Sequence, residues 1–76
     1  MLGICPNFVV GDGTGGTEKE IGSTSNEEDC ADLVQKKAPT ANGATWGDEK
    51  CYAEFDATGN NDNDKWRTCR FKSKLQ

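Results

Sequence analysis

The sequence predicts a small α+β domain held by disulfides, and three observations carry that prediction. Residues 26–37 combine helix-capping residues with helical apolar spacing. Around them lie short apolar or alternating runs bounded by Gly, Pro, Asn and Asp, the pattern of strands joined by turns. Four cysteines, Cys5, Cys30, Cys51 and Cys69, stand in a chain of 76 residues with no C-x-x-C pair. That spacing suits neither a thioredoxin-type redox site nor a zinc site built from close ligand pairs, and two structural disulfides are expected.

The first segment, ICPNFVV (4–10), reads as a strand, and Pro6 within it suggests an edge position. GDGTGG (11–16) reads as a flexible turn. It also satisfies G-x-G-x-x-G, but the dinucleotide fingerprint needs a helix opening at the last glycine, and TEKEIG is too short and too glycine-bounded to supply one. Residues 17–22 suit a short strand or turn around Ile21.

The helix has the clearest local signal. Ser25 and Glu28 form a capping box, and Glu27, Glu28 and Asp29 favour the positive end of the helix dipole. Cys30, Leu33 and Val34 share one apolar stripe, Lys36 and Lys37 suit the last turn, and Pro39 stops the helix. Two strands follow, at 41–47 (ANGATWG) and 50–55 (KCYAEF). Asp48-Glu49 is not an ideal two-residue turn, though Gly47 helps. In the second strand Cys51, Ala53 and Phe55 share one face, and Lys50, Tyr52 and Glu54 the other. DATGNNDND (56–64) reads as a polar loop, KWRTCRFK (65–72) as a last strand, and residues 73–76 are expected to fray.

Leu, Ile, Val and Phe number only 11, a share that in an uncrosslinked chain points to disorder. Crosslinks can replace the missing core. The chain is too short for two domains or a large cleft, so residues 1–76 are expected to form one domain with its core over about 4–72. No apolar run approaches the roughly 20 residues that span a bilayer. Disulfides imply secretion, an extracellular domain or an oxidising lumen, and a secreted or extracellular setting is expected. Met1-Leu2-Gly3 is too short for a signal peptide, which suggests a mature protein or an excised domain carrying a start Met.

The net charge is −4, unevenly placed. Residues 1–64 hold all 13 acids and four bases; residues 65–76 hold Lys65, Arg67, Arg70, Lys72 and Lys74 and no acid. An acidic chain is a poor nucleic-acid ligand, and the basic end is read as a solvated strand and tail. No nucleic-acid partner and no membrane insertion are expected.

The helix segment EEDCADLV, the following strand ANGATW with its aromatic end, and the cysteine-bearing strand KCYAEF lie between cysteines near the two termini. Over about residues 5–71 this resembles the PAN/apple domain. The resemblance implies a central helix packed on a small curved antiparallel sheet. It implies a helix-to-strand disulfide Cys30–Cys51 and an outer disulfide Cys5–Cys69. Many members carry a further bridge at positions that here hold Val34 and, approximately, Ala41, so the chain resembles a reduced, two-disulfide variant.

Function is expected on the surface. The chain has no His, so no Ser-His or Cys-His pair exists, and no catalytic residue or cofactor is expected. Glu54 and Asp56 are read as solvated acids. Asn60, Asp62 and Asp64 alternate as calcium ligands do, but Lys65 and Phe71 stand where an EF-hand loop has Gly and Glu, so a solvated turn is expected, with weak calcium binding as the lesser alternative. Tyr52 and Trp66 fall on the faces opposite Cys51 and Cys69. With Glu54, Arg67 and Arg70 they form the candidate ligand-binding set, since aromatic rings stack on sugars and the charged groups bond hydroxyls or sulfates. The resemblance implies a non-catalytic extracellular recognition or adhesion module binding carbohydrate, as a lectin, or protein, as a monomer or one module of a tandem array. The alternatives are a secreted effector (defence peptide, toxin or protease inhibitor) and a structural matrix or adhesive component.

Overall fold

The computed structural model describes residues 3–5 and 7–73. The expected edge role of Pro6 and the fraying expected of 74–76 fall outside them. The chain folds as α+β, with one helix among the described residues, antiparallel sheets and two disulfides, Cys5–Cys69 and Cys30–Cys51.

The elements are β1 (Gly3–Ile4), β2 (Val9–Val10), β3 (Gly13–Thr14), β4 (Thr17–Ser23), α1 (Glu27–Lys37), β5 (Gly43–Gly47), β6 (Lys50–Phe55), β7 (Gly59–Asn60), β8 (Arg67–Arg70) and β9 (Lys72–Ser73). Five strands form the main sheet, in the order β2-β8-β5-β6-β4, and all neighbours run antiparallel. Two ribbons, β1–β9 and β3–β7, complete the structure.

The expected first strand, 4–10, is two strands in different sheets, and the last, 65–72, divides the same way into β8 and β9. Ser73, expected to fray, pairs with Gly3. The expected turn at 11–16 contains β3, and the expected loop at 56–64 contains β7, because these two segments find each other across 45 residues of sequence or more. A full seven-residue strand, β4, then follows the glycine string, so the helix that dinucleotide binding needs is absent there.

Helix α1 begins one residue later than expected. Asn26, in extended conformation, is the N-cap, and its side chain accepts from Asp29 N at 2.8 Å, so Ser25 is not the capping residue. Asn and Ser cap about equally well. Here Thr24 also donates to the Asn26 carbonyl at 2.9 Å, which fixes the chain entering the helix. The C-cap, Ala38, donates its N–H to the Val34 carbonyl at 2.7 Å just before Pro39.

Between β5 and β6 the chain reverses in two residues, and Asp48 (φ 50°) and Glu49 (φ 62°) both adopt left-handed backbone. The right-handed twist of paired strands selects that turn geometry even where neither residue is glycine.

The core forms between the helix and one sheet face. Cys30, Ala31 and Val34 of α1 are buried in one cluster with Ala44, Cys51 and Ala53; Leu33, Trp46 and Phe55 pack around it half-buried. Small side chains at Ala44 and Ala53, paired directly across β5 and β6, let the helix approach closely. The Trp46 indole N–H donates to the Thr24 carbonyl at 3.0 Å, which ties the sheet to the chain entering the helix.

Candidate functional site

Strand alternation sends every second residue of the main sheet to the face opposite Cys51 and Cys69. Thr45 lies between Tyr52 and Thr68 on its two neighbouring strands, and Glu54 lies opposite Gly43 and Glu18. This second face is covered by the glycine-rich segment and the β3–β7 ribbon.

Under that cover runs a buried polar row. Glu54 was expected at the solvated surface; it is 2% exposed. Thr45 Oγ1 donates to Glu54 Oε2 at 2.6 Å, the Thr45 and Thr68 hydroxyls lie 2.8 Å apart, and Thr68 Oγ1 donates to the Gly11 carbonyl at 2.7 Å. Buried polar groups need such partners, and the two hydroxyl protons supply two bonds, to Glu54 and to Gly11, drawn from three segments distant in sequence, while the Thr45–Thr68 approach is a contact with no proton left to bridge it. Gly13 supplies the room: a Cβ there would lie 2.7 Å from the Glu54 carboxyl carbon.

Two more acids reach the same place. The carboxylates of Asp12, Glu18 and Glu54 lie within 4.8 Å of one another. Glu18 stays exposed at its outer side, but partial desolvation against the cover, a hydrogen bond with Glu54 and the Asp12 charge push it up to about 8. Burial also raises Glu54, against the opposing effect of the Thr45 hydrogen bond. Three acids this close are brought together by a shared proton or by a shared cation. The neighbouring oxygens do not complete a cation's shell. Thr45 directs its proton to Glu54, Asn61 Oδ1 accepts from the N–H groups of Asp12 and Asn63, and Asn63 Oδ1 accepts from Lys65 N.

Further along the same face, Tyr52 and Trp66 meet edge to face, with ring centroids 5.4 Å apart and planes at 85°. Both are half-buried, and Trp66 lies close over Gly47, where a Cβ would strike its ring. Val9 and Val10 of β2 are the large apolar side chains most open to solvent among the described residues, 49% and 48% exposed.

Of the expected binding set, the structure brings Tyr52 and Trp66 together and places Glu54 beneath the cover. Arg67 is exposed and pairs with Trp46, on the helix side of the sheet. Arg70 is exposed, and its Nη1 donates to the Gly59 carbonyl at 3.1 Å. Asp62 and Asp64 are exposed, whereas both polar atoms of the Asn60 amide are buried without a partner. The three carboxylates that converge among the described residues are therefore not those of the 60–64 run. Asp12, Glu18, Thr45 and Thr68 were not singled out from sequence. The one local signal was Glu54 on the same strand face as Tyr52; the rest depends on pairing between remote segments. Compared with protein-family models, curated proteins and solved structures, the chain matches none.

Two disulfides are compatible with an extracellular protein. No helix among the described residues is long and apolar enough to cross a membrane.

Proposed function

We propose that this chain is a non-catalytic recognition module of an extracellular protein. In this reading it is a reduced PAN/apple-like domain, with its helix on a curved sheet, and it takes a carbohydrate or protein ligand on the Tyr52–Trp66 face. The observation that carries the reading is the aromatic pair itself. Two half-buried rings, held at right angles and braced on Gly47, present a rigid apolar surface with a phenol and an indole N–H available for polar contacts. Such groups bind sugar rings and apolar side chains at little entropic cost. The exposed Val9 beside Thr68 extends apolar surface along the same sheet face. The disulfide pairing Cys5–Cys69 and Cys30–Cys51 supports the family reading, since it is the pairing the resemblance implies. The absence of His supports the non-catalytic one.

The burial of Glu54 and the place of Arg67 on the helix side of the sheet narrow the contact set to Tyr52 and Trp66, with Arg70 reaching a ligand only at its rim. The test is a glycan array and a panel of extracellular matrix proteins, each probed with and without calcium. Trp66→Ala and Tyr52→Ala are each expected to weaken binding about tenfold or more, as truncation of a central aromatic does, with the near-ultraviolet spectrum confirming the fold. A wild-type chain that binds nothing, or a ligand indifferent to both truncations, overturns the reading.

A further inference from the structure

We propose that Asp12, Glu18 and Glu54 form a proton-sharing clasp that holds the glycine-rich segment 11–16 and the β3–β7 ribbon over the main sheet, and that the clasp loosens as pH rises. This inference stands independently of the recognition reading.

Glu18 and Glu54 are direct cross-strand partners on β4 and β6. Two like charges at that position repel and destabilise the pairing. Glu54 is almost fully buried, and its side-chain partner of known direction is a single hydroxyl, Thr45. Asp12 brings a third carboxylate from the cover itself, and its Oδ1 is buried without a partner. A proton between two of these groups turns repulsion into a hydrogen bond, because a protonated carboxyl is a donor. The upward shifts of Glu18 and Glu54 agree with this arrangement.

The cover is built to move as a unit. Gly11 (φ 116°) and Gly15 (φ 94°), at conformations open to glycine, bracket the segment. The cover's ties to the body are Gly11 N to the Trp66 carbonyl at 2.8 Å, the Thr68 hydroxyl to the Gly11 carbonyl at 2.7 Å, Arg70 Nη1 to the Gly59 carbonyl at 3.1 Å and the Asn42 side chain to Ala57, whereas Thr58 N to Thr14, Asn61 N to Asp12 and Asp12 N to Asn61 Oδ1 hold its two halves to each other.

The other charged groups near this face do not replace the proton. Along the strands stand Glu20, Lys50 and Tyr52; β5 contributes Thr45 and no titratable group. From β8, Arg70 is engaged with the Gly59 carbonyl. From the 56–66 connection, Asp56, Asp62, Asp64 and Lys65 are exposed. The groups acting on Glu18 and Glu54 are carboxylates and the Thr45 hydroxyl.

The direction of the pH effect follows from linkage. The closed cover retains a proton that an opened one, with carboxyls near the ordinary 4.5, has already lost. The clasp's contribution is therefore complete below about 4.5 and is lost as pH rises to about 8. Across that window the opening equilibrium grows by up to about tenfold per pH unit for one proton.

The experiment is a carboxyl-carbon NMR titration of the wild-type chain, with amide-exchange protection at Gly11, whose N–H is bonded to the Trp66 carbonyl of the body, measured over the same pH range. At least one of Glu18 and Glu54 is expected to titrate above pH 6. Protection at Gly11 is expected to fall from pH 5 to 8, while that at Thr58 and Asn61, bonded within the cover, and in Cys30–Lys37 holds. In Glu18→Gln, an exposed position that keeps the fold, the pH dependence of cover protection is expected to flatten. Titration of both acids below pH 5, or cover protection independent of pH in the wild type, overturns the proposal. So does a calcium chloride addition that raises the melting temperature at pH 8 and restores cover protection there, because the carboxylates would then be gathered by a cation.

Discussion

Removing the Cys30–Cys51 crosslink with the paired substitution Cys30→Ala and Cys51→Ala probes what holds this small core together. The bridge joins α1 to β6 across 21 residues of sequence. On a chain-entropy account, closing a loop of that length stabilises the folded state by about 3 kcal/mol. Both sulfurs are fully buried among Ala31, Val34, Ala44 and Ala53. Their loss leaves unfilled space in a core already made of small side chains, adding about 1 kcal/mol. A chain of 76 residues unfolds with an entropy of about 160 cal/mol/K near 60 °C, so a loss of about 4 kcal/mol lowers the melting temperature by about 25 °C. Total stability for this length is about 4–11 kcal/mol, so the variant retains from almost none to about 7 kcal/mol. Thermal unfolding followed by circular dichroism, without reductant, gives the answer. A melting temperature lowered by less than about 10 °C would refute the view that the crosslink compensates for the scarcity of large apolar residues.

Three smaller changes test individual contacts. Glu49→Gly relieves left-handed backbone in the β5–β6 turn and is expected to stabilise by about 1 kcal/mol, raising the melting temperature by about 6 °C; an unchanged or lower value counts against strain there. Thr45→Val leaves the Glu54 carboxyl without its hydroxyl donor and is expected to cost about 2 kcal/mol in denaturant unfolding, whereas a neutral result would mean that the buried row is not satisfied through Thr45. Gly13→Ala drives a Cβ into the Glu54 carboxyl and is expected to cost about 1–3 kcal/mol. Most of that penalty should vanish in a Glu54→Ala background, and an undiminished penalty would place the conflict elsewhere.

Much of the fold was legible because its signals are local. Asn26 to Lys37 carries its caps, charge bias and apolar stripe within 12 consecutive positions, and the helix forms over Glu27–Lys37. The KCYAEF run is a strand at the expected bounds, with Cys51 and Ala53 buried on one face. Even there the cap moved by one residue, because Ser25 and Asn26 are nearly equivalent as caps and the tie from Thr24 favours the second. The short strands were legible only in part. A two-residue strand such as β3 or β7 has no period to read, and it exists only because its partner arrives from the other side of the helix.

By itself, then, the sequence determined the class of this protein: four cysteines and few large aliphatics require a small crosslinked α+β domain, and one capped segment makes its helix. Tertiary structure alone decided the character of the second sheet face. Composition treats Glu54, Glu18 and Asp12 as three solvated acids among 13. The register of β4 on β6 and the fold of a glycine-rich cover place the three within 4.8 Å, one of them buried. Proton affinity depends on surroundings, and a carboxyl's surroundings are set by segments remote from it in the chain. The same is true of the meeting of Tyr52 with Trp66, which rests on a glycine at position 47 that leaves room for the ring.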